Sequence, residues 1–279
     1  MNWMKKSIKG LFLLIAVPSL ISCSSSTVKN REAEYSLLKG VNYSQNGEYE
    51  KAMGEYFKSY EIAPENTILL KEMGYNYYQF GDYEKAEEFW LKAFKLTPKD
   101  EDLIKNLSTL YYEEEEYEKS LDIIKNSYNL RDNYYQKIYG LINYKRERLQ
   151  ESYNFFKNVS VESYDVETAL VYIEVLKNLN KREELFIFLQ KIYPYLKDNK
   201  EFIIKYSQIL LEDFNLTKKS EEILINYLLE NGSEDEILLQ LSMLYFQMGE
   251  KEKARDTFKL ISEKDMIQLK YHELKEKLN

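Results

Sequence analysis

One histidine and one cysteine leave this 279-residue chain little with which to do nucleophilic or metal chemistry. Counts this low set aside a Cys–His pair, a Ser-His-Asp triad and a zinc site of His and Cys ligands. The nine glycines form no phosphate-cradling loop. Carboxylates are the catalytic group in supply, 47 Asp and Glu in all, and two of them placed together could run acid–base hydrolysis. Spread among so many charges they are expected to be solvated. The acidic run 113–116 lacks the interspersed oxygen ligands and glycine of a calcium loop, so it is expected to be a solvated turn. Lys145, Arg146 and Arg148 could touch anionic lipid, but the cluster suits a turn with snorkelling side chains. No enzyme activity, metal or cofactor is expected.

What must position the remaining residues is a repeat. At a spacing of 34, Gly40, Gly74 and Ser108 fall in line, as do Tyr43, Tyr77 and Tyr111. Gly47, Gly81 and Glu115 follow, then Tyr49, Tyr83 and Tyr117, then Ala52, Ala86 and Ser120. Tyr56, Trp90 and Ile124, then Ser59, Ala93 and Ser127, then Pro64, Pro98 and Asp132 complete the register. This order of small, aromatic, small and Pro resembles the tetratricopeptide repeat (TPR). The resemblance implies an all-α fold, a TPR superhelical solenoid of helical hairpins that binds proteins rather than transforming substrates.

Each residue type has a physical task. Gly40 and Gly74 on the first helix, with Ala52 and Ala86 on the second, let the two backbones approach. Gly47 and Gly81 suit a left-handed turn between helices. Pro64 and Pro98 stop the second helix. Repeats are expected near 33–64, 67–98 and 101–132, and a fourth near 133–164 keeps Gly140, Leu149, Ser152 and Phe156. Two degenerate repeats near 165–198 and 199–232 retain only helical periodicity, with Ile204, Leu210 and Leu211 facing Ile223, Leu224 and Leu228. A seventh near 235–262 restores Ser242, Tyr245, Gly249, Ala254 and Phe258. Residues 263–279, with Met266, Leu269, Tyr271 and Leu274, are expected to form a capping helix that covers the last apolar face.

The N-terminus has its own signature. Lys5, Lys6 and Lys9 precede an apolar run from Leu11 to Ile21, too short to span a bilayer and fit for a signal peptide over 1–22. Leu20-Ile21-Ser22-Cys23 resembles the lipobox of bacterial lipoproteins, which implies acylation of Cys23 as the mature N-terminus. Residues 23–32 are expected to be a flexible lipidated tether spanning about 15–18 Å. Ser24, after the lipidated position, fits the outer membrane, with the protein facing the periplasm. The net charge of −8, more acidic once the leading lysines are removed, disfavours nucleic acid as a partner.

In the TPR family the first helices line a concave groove that takes a protein or peptide. By that resemblance Lys71, Tyr75, Tyr78, Gln79, Lys105 and Tyr112 line the groove here, tyrosine offering rigid amphipathic contact area. The Lys and Asn of chaperone-tail clamps are missing, since their places hold Leu37 and Val41, then Lys71 and Tyr75. The expected function is a lipid-anchored scaffold that helps to assemble or position a cell-envelope complex. A pilotin-like lipoprotein for type IV pilus secretins is the alternative, and a carboxylate-based envelope enzyme a third.

Overall fold

The computed structural model describes residues 12–262 and 269–278 of the chain. They form two compact units, Met1–Asp132 and Asn133–Asn279. The first unit holds three hairpins: α1 (Phe12–Gln45) with α2 (Tyr49–Ile62), α3 (Thr67–Gln79) with α4 (Tyr83–Leu96), and α5 (Glu101–Glu113) with α6 (Tyr117–Ile124). The second holds four: α7 (Asn133–Lys145) with α8 (Leu149–Phe156), α9 (Val166–Asn178) with α10 (Arg182–Leu196), α11 (Lys200–Glu212) with α12 (Thr217–Asn231), and α13 (Asp235–Gln247) with α14 (Lys251–Phe258). A 3-10 turn at Val161–Ser163 precedes α9, and α15 (Leu269–Leu278) closes the described chain. Within each unit the second helix of one hairpin packs on the first helix of the next.

Every hairpin turns on one residue in the left-handed region. These are Gly47, Gly81, Glu115, Glu147, Asn180, Asn215 and Gly249, with φ between 54° and 79°. Glycine meets that geometry without strain and asparagine tolerates it, whereas Glu115 and Glu147 adopt it against their preference. The turn therefore persists through the repeats whose other signature residues are lost. Helix starts are fixed by side-chain caps: Asn66, Asp82, Asp100, Asp165 and Asn199 each accept from backbone N–H groups of the helix that follows.

The crossing inside each hairpin uses the small residues differently from the simple expectation of backbone on backbone. A Cβ at Gly74 would stand 2.4 Å from the Trp90 ring, one at Gly40 2.4 Å from Tyr56, and one at Gly140 2.8 Å from Phe156. Glycine thus makes room for an aromatic ring of the second helix. Where serine replaces glycine or alanine it also fastens the crossing. The hydroxyls of Ser120, Ser152 and Ser220 donate to the carbonyls of Ser108, Gly140 and Ser207, at 2.8–2.9 Å.

Two expectations change. The segment 23–32 is helical, because α1 runs through it unbroken. No glycine or proline stands between Pro18 and Gly40 to stop a helix there. Residues 27–32 are exposed, and packing starts at Ala33. In α11 the buried stripe is Phe202, Ile203, Tyr206, Ile209 and Leu210, while Ile204 is only half-buried and turns away from it. At the C-terminus residues 263–268, Met266 among them, lie outside the described residues. In α15 Leu274 and Leu278 are buried, and Arg255 of α14 donates to the Leu278 carbonyl at 3.1 and 2.5 Å.

Candidate partner-binding faces

The six residues assigned to the groove sit on α3 and α5, and the structure divides them by what they already hold. Lys71 Nζ lies 2.9 Å from Asp100 Oδ2 and 3.5 Å from Asp102 Oδ2, both at the start of the next hairpin. Lys105 Nζ is 3.9 Å from Asp132, the last residue of the first unit, and Lys137 repeats the Lys71 arrangement with Asp165 of the next hairpin at 2.7 Å. Lys71 and Lys137 are staples between successive hairpins, and Lys105 too is paired rather than loose positive charge. Burial acts to raise the Asp100 carboxyl, but the Lys71 ammonium and the Leu103 and Asp102 N–H groups outweigh it and hold it low.

Tyr78 is similarly occupied. Its hydroxyl donates to Glu113 at 2.7–2.8 Å, and its ring leans on Tyr83 and Trp90 at 5.4 and 5.7 Å. Tyr112 packs on Tyr117 at 6.1 Å. Tyr75 differs: it is 41% exposed, and among the described residues no hydrogen bond or ring contact holds it. Gln79 is exposed four residues on, and Ile68, 56% exposed and seven residues before, shares the face. Sequence reasoning passed over Ile68, although its spacing from Tyr75 carried the signal.

Between the first two hairpins a carboxylate is half-buried. The Tyr56 hydroxyl donates to Glu72 at 3.2 Å, and the Asn76 amide reaches Ser44 at 3.2 Å. Burial pushes the Glu72 carboxyl up, against the Tyr56 hydrogen bond and the Lys71 charge. No second carboxylate stands with it in a hydrolytic pair among the described contacts. Among the described residues no group of three or more His, Cys, Asp or Glu could hold a metal ion. His272 pairs with Glu276 at 3.4 Å on the exposed side of α15.

The second unit has a first-helix cavity of its own, about 340 Å³, floored by Leu170, Val171 and Ile204. Glu201 stands at its rim, and Glu174 is paired with Lys205 at 2.6 Å. This is where Ile204 goes instead of the core. Its periodicity alone could not separate a core stripe from a cavity wall one position away. Cys23 falls in the helical backbone of α1, and no helix among the described residues is long and apolar enough to cross a membrane.

Comparison with known proteins fits this geometry. The tetratricopeptide repeat family model matches residues 72–100 and 235–262. Comparison with curated protein sequences gives no match. Among solved structures, the C-terminal part of a TPR repeat-containing protein from Cytophaga hutchinsonii is similar at a TM-score of 0.64 and 13% identity, over 85% of this chain and 98% of that one. A tetratricopeptide repeat protein from Parabacteroides merdae follows at 0.57 and 17%, over 89% and 98%. Pseudomonas aeruginosa pilF aligns at 0.49 and 14%, over 89% and 99%. At such identities the likeness is one of fold. The chain carries tetratricopeptide repeats and has the all-helical fold of the proteins built from them.

Proposed function

We propose that this protein is a scaffold held at a bacterial envelope membrane by lipid on Cys23, gripping a protein or peptide partner along its first helices. Its task on this reading is to assemble or position an envelope complex, with no catalytic step of its own. The observation that carries it is Tyr75, an exposed ring on the first-helix face, with Ile68 on the same side. A partly exposed tyrosine costs little to order against a partner, and tyrosine is a favoured anchor at interfaces. The acidic chain and the paired lysines argue against nucleic acid.

Two variants test the reading in cells that make the protein. Cys23→Ser should leave the membrane fraction, while the wild-type N-terminal peptide carries a lipid mass on Cys23. A photo-crosslinking residue at position 75 should capture an envelope protein, and Tyr75→Ala should reduce native partner recovery by about tenfold or more with melting unchanged. Capture of a pilus secretin would favour the pilotin alternative. A soluble wild-type protein would end the membrane reading. Recovery unaffected by Tyr75→Ala would end the groove.

A further inference from the structure

The seven hairpins can be laid over one another on their left-handed turn residue, and two positions then break a rule that the other hairpins keep. One residue after the turn stand Glu48, Asp82, Glu116, Arg148, Lys181 and Glu250, all charged; the sixth hairpin has Leu216. Seven residues after the turn stand Gly54, Glu88, Asp122, Asn154, Glu222 and Asp256, none of them apolar in side chain; the fifth hairpin has Ile187. Both exceptions are solvent-facing, Ile187 at 50% and Leu216 at 36% exposure. They come from different hairpins, yet they line one cavity of about 400 Å³ between the start of α10 and the α11–α12 turn. Phe186 and Phe214 complete its apolar wall, with ring centroids 5.0 Å apart.

The rim is cationic in a chain that is acidic overall. The Arg182 guanidinium lies 5.2 Å over the Phe214 ring and donates once to the Asp213 carbonyl, leaving further N–H donors. Lys219 Nζ sits 5.5 Å from the Phe186 ring, and Lys218 beside it is exposed. Glu183 is the one acid in the lining. The same joint between the first two hairpins is built otherwise: Tyr49 covers Phe80 edge-on at 6.0 Å, with Glu48, Glu50 and Lys51 around it.

We infer that this cavity is a second docking site, separate from the first-helix face. Its occupant is a protein segment that presents a bulky aliphatic or aromatic side chain next to carboxylates. The apolar side chain enters between Ile187, Leu216 and the two phenylalanines. A neighbouring carboxylate meets the free edge of Arg182, whose planar fork suits it and whose stacking on Phe214 fixes its direction. Ile187 and Leu216 thus expose apolar surface at positions where the other hairpins hold charged residues, asparagine or glycine.

The test uses the full-length chain in detergent and an array of synthetic dodecapeptides. Each carries a central Leu, Ile or Phe pair flanked by Asp and Glu, by Ser, or by Lys. Acid-flanked peptides should bind at least about tenfold more tightly than lysine-flanked ones. Ile187→Asn and Leu216→Asp should each lose about tenfold or more of that binding. Both variants restore residue types that the chain's other hairpins carry at these positions, so unchanged melting is expected. Arg182→Glu should reverse the preference, and Tyr75→Ala should leave it intact, which separates this site from the first-helix face. Acid-flanked peptides held no better than serine-flanked ones, or binding indifferent to Ile187→Asn, would overturn the inference. It would equally fall if Ile187→Asn instead abolished binding to phosphatidylglycerol vesicles or self-association in sedimentation, since a lipid surface or a second copy would then be the occupant.

Discussion

The second and fifth hairpins turn through the same left-handed geometry, at Gly81 and Asn180, yet they are packed by opposite means. In the second, Gly74 clears a space on α3 into which Trp90 lies, its indole N–H donating to the Lys71 carbonyl at 3.1 Å. In the fifth, the two places held by Gly74 and Ala86 are taken by Ile173 and Leu185, both buried. Side chains there fill the crossing that the Trp90 ring fills in the second. The joint to the preceding hairpin differs too: Tyr56 reaches the Glu72 carboxylate in one, whereas Phe156, Tyr164, Tyr172 and Phe188 form a ring cluster in the other. A helical hairpin of this length thus requires its turn and a filled crossing, but not small residues at that crossing.

The sharpest break of that comparison is Gly74→Leu. A side chain at position 74 would meet Trp90 atoms at 2.4, 2.5 and 2.9 Å, and the ring is too well enclosed to move aside. Overpacking of this kind costs about 3 kcal/mol or more. Because hairpins couple to their neighbours, hydrogen exchange should rise in α3 and α4 first, then in the first and third hairpins, before reaching the seventh. Equal loss of protection along the whole chain would mean that the hairpins fold as one block.

The converse change, Ile173→Ala, should cost about 2–4 kcal/mol although it moves the fifth hairpin towards the family pattern. Position 173 is fully buried, and α9 and α10 are built around its side chain, so alanine leaves a cavity instead of a closer crossing. Urea unfolding of the isolated variant checks the size. A neutral or stabilising result would show that the fifth hairpin can collapse into the geometry of the second.

These two hairpins also mark what the sequence can reveal. Gly74, Ala86 and Gly81 announce the second hairpin because close approach and positive φ restrict residue choice severely. In the fifth, Ile173 and Leu185 are ordinary core residues, and only 3.6-residue periodicity and the later restoration of Gly249 point to a hairpin there. Glu115 and Glu147 hold left-handed turns with residues that carry no such signal. The six groove candidates were legible as first-helix residues of α3 and α5, but their pairing was not. Lys71 and Lys105 look available on one helix face, but Asp100 of the following hairpin holds the first and Asp132, at the end of the third repeat, faces the second. Tyr78 is tied to Glu113 in the same way, which leaves Tyr75 as the exposed aromatic of that set.

The smallest effect separates the polar joint of the second hairpin from the aromatic joint of the fifth. Burial raises the Glu72 carboxyl above its usual range, so the native state holds that proton more tightly than the unfolded chain does. The associated stability is complete below the ordinary carboxylate range and is lost as pH rises through the raised value. Above that raised value Glu72 is a half-buried charge whose desolvation opposes folding. Glu72→Gln removes the charge and keeps a carbonyl oxygen to accept from the Tyr56 hydroxyl. The variant should melt above wild type at pH 7, by less than either crossing variant falls, and the gap should close as pH approaches about 4. Thermal melts of both proteins across that range measure it. A variant that melts lower at pH 7 would mean that the charged hydrogen bond from Tyr56 outweighs the burial of Glu72. The joint would then be held by its ion much as the fifth hairpin is held by its rings.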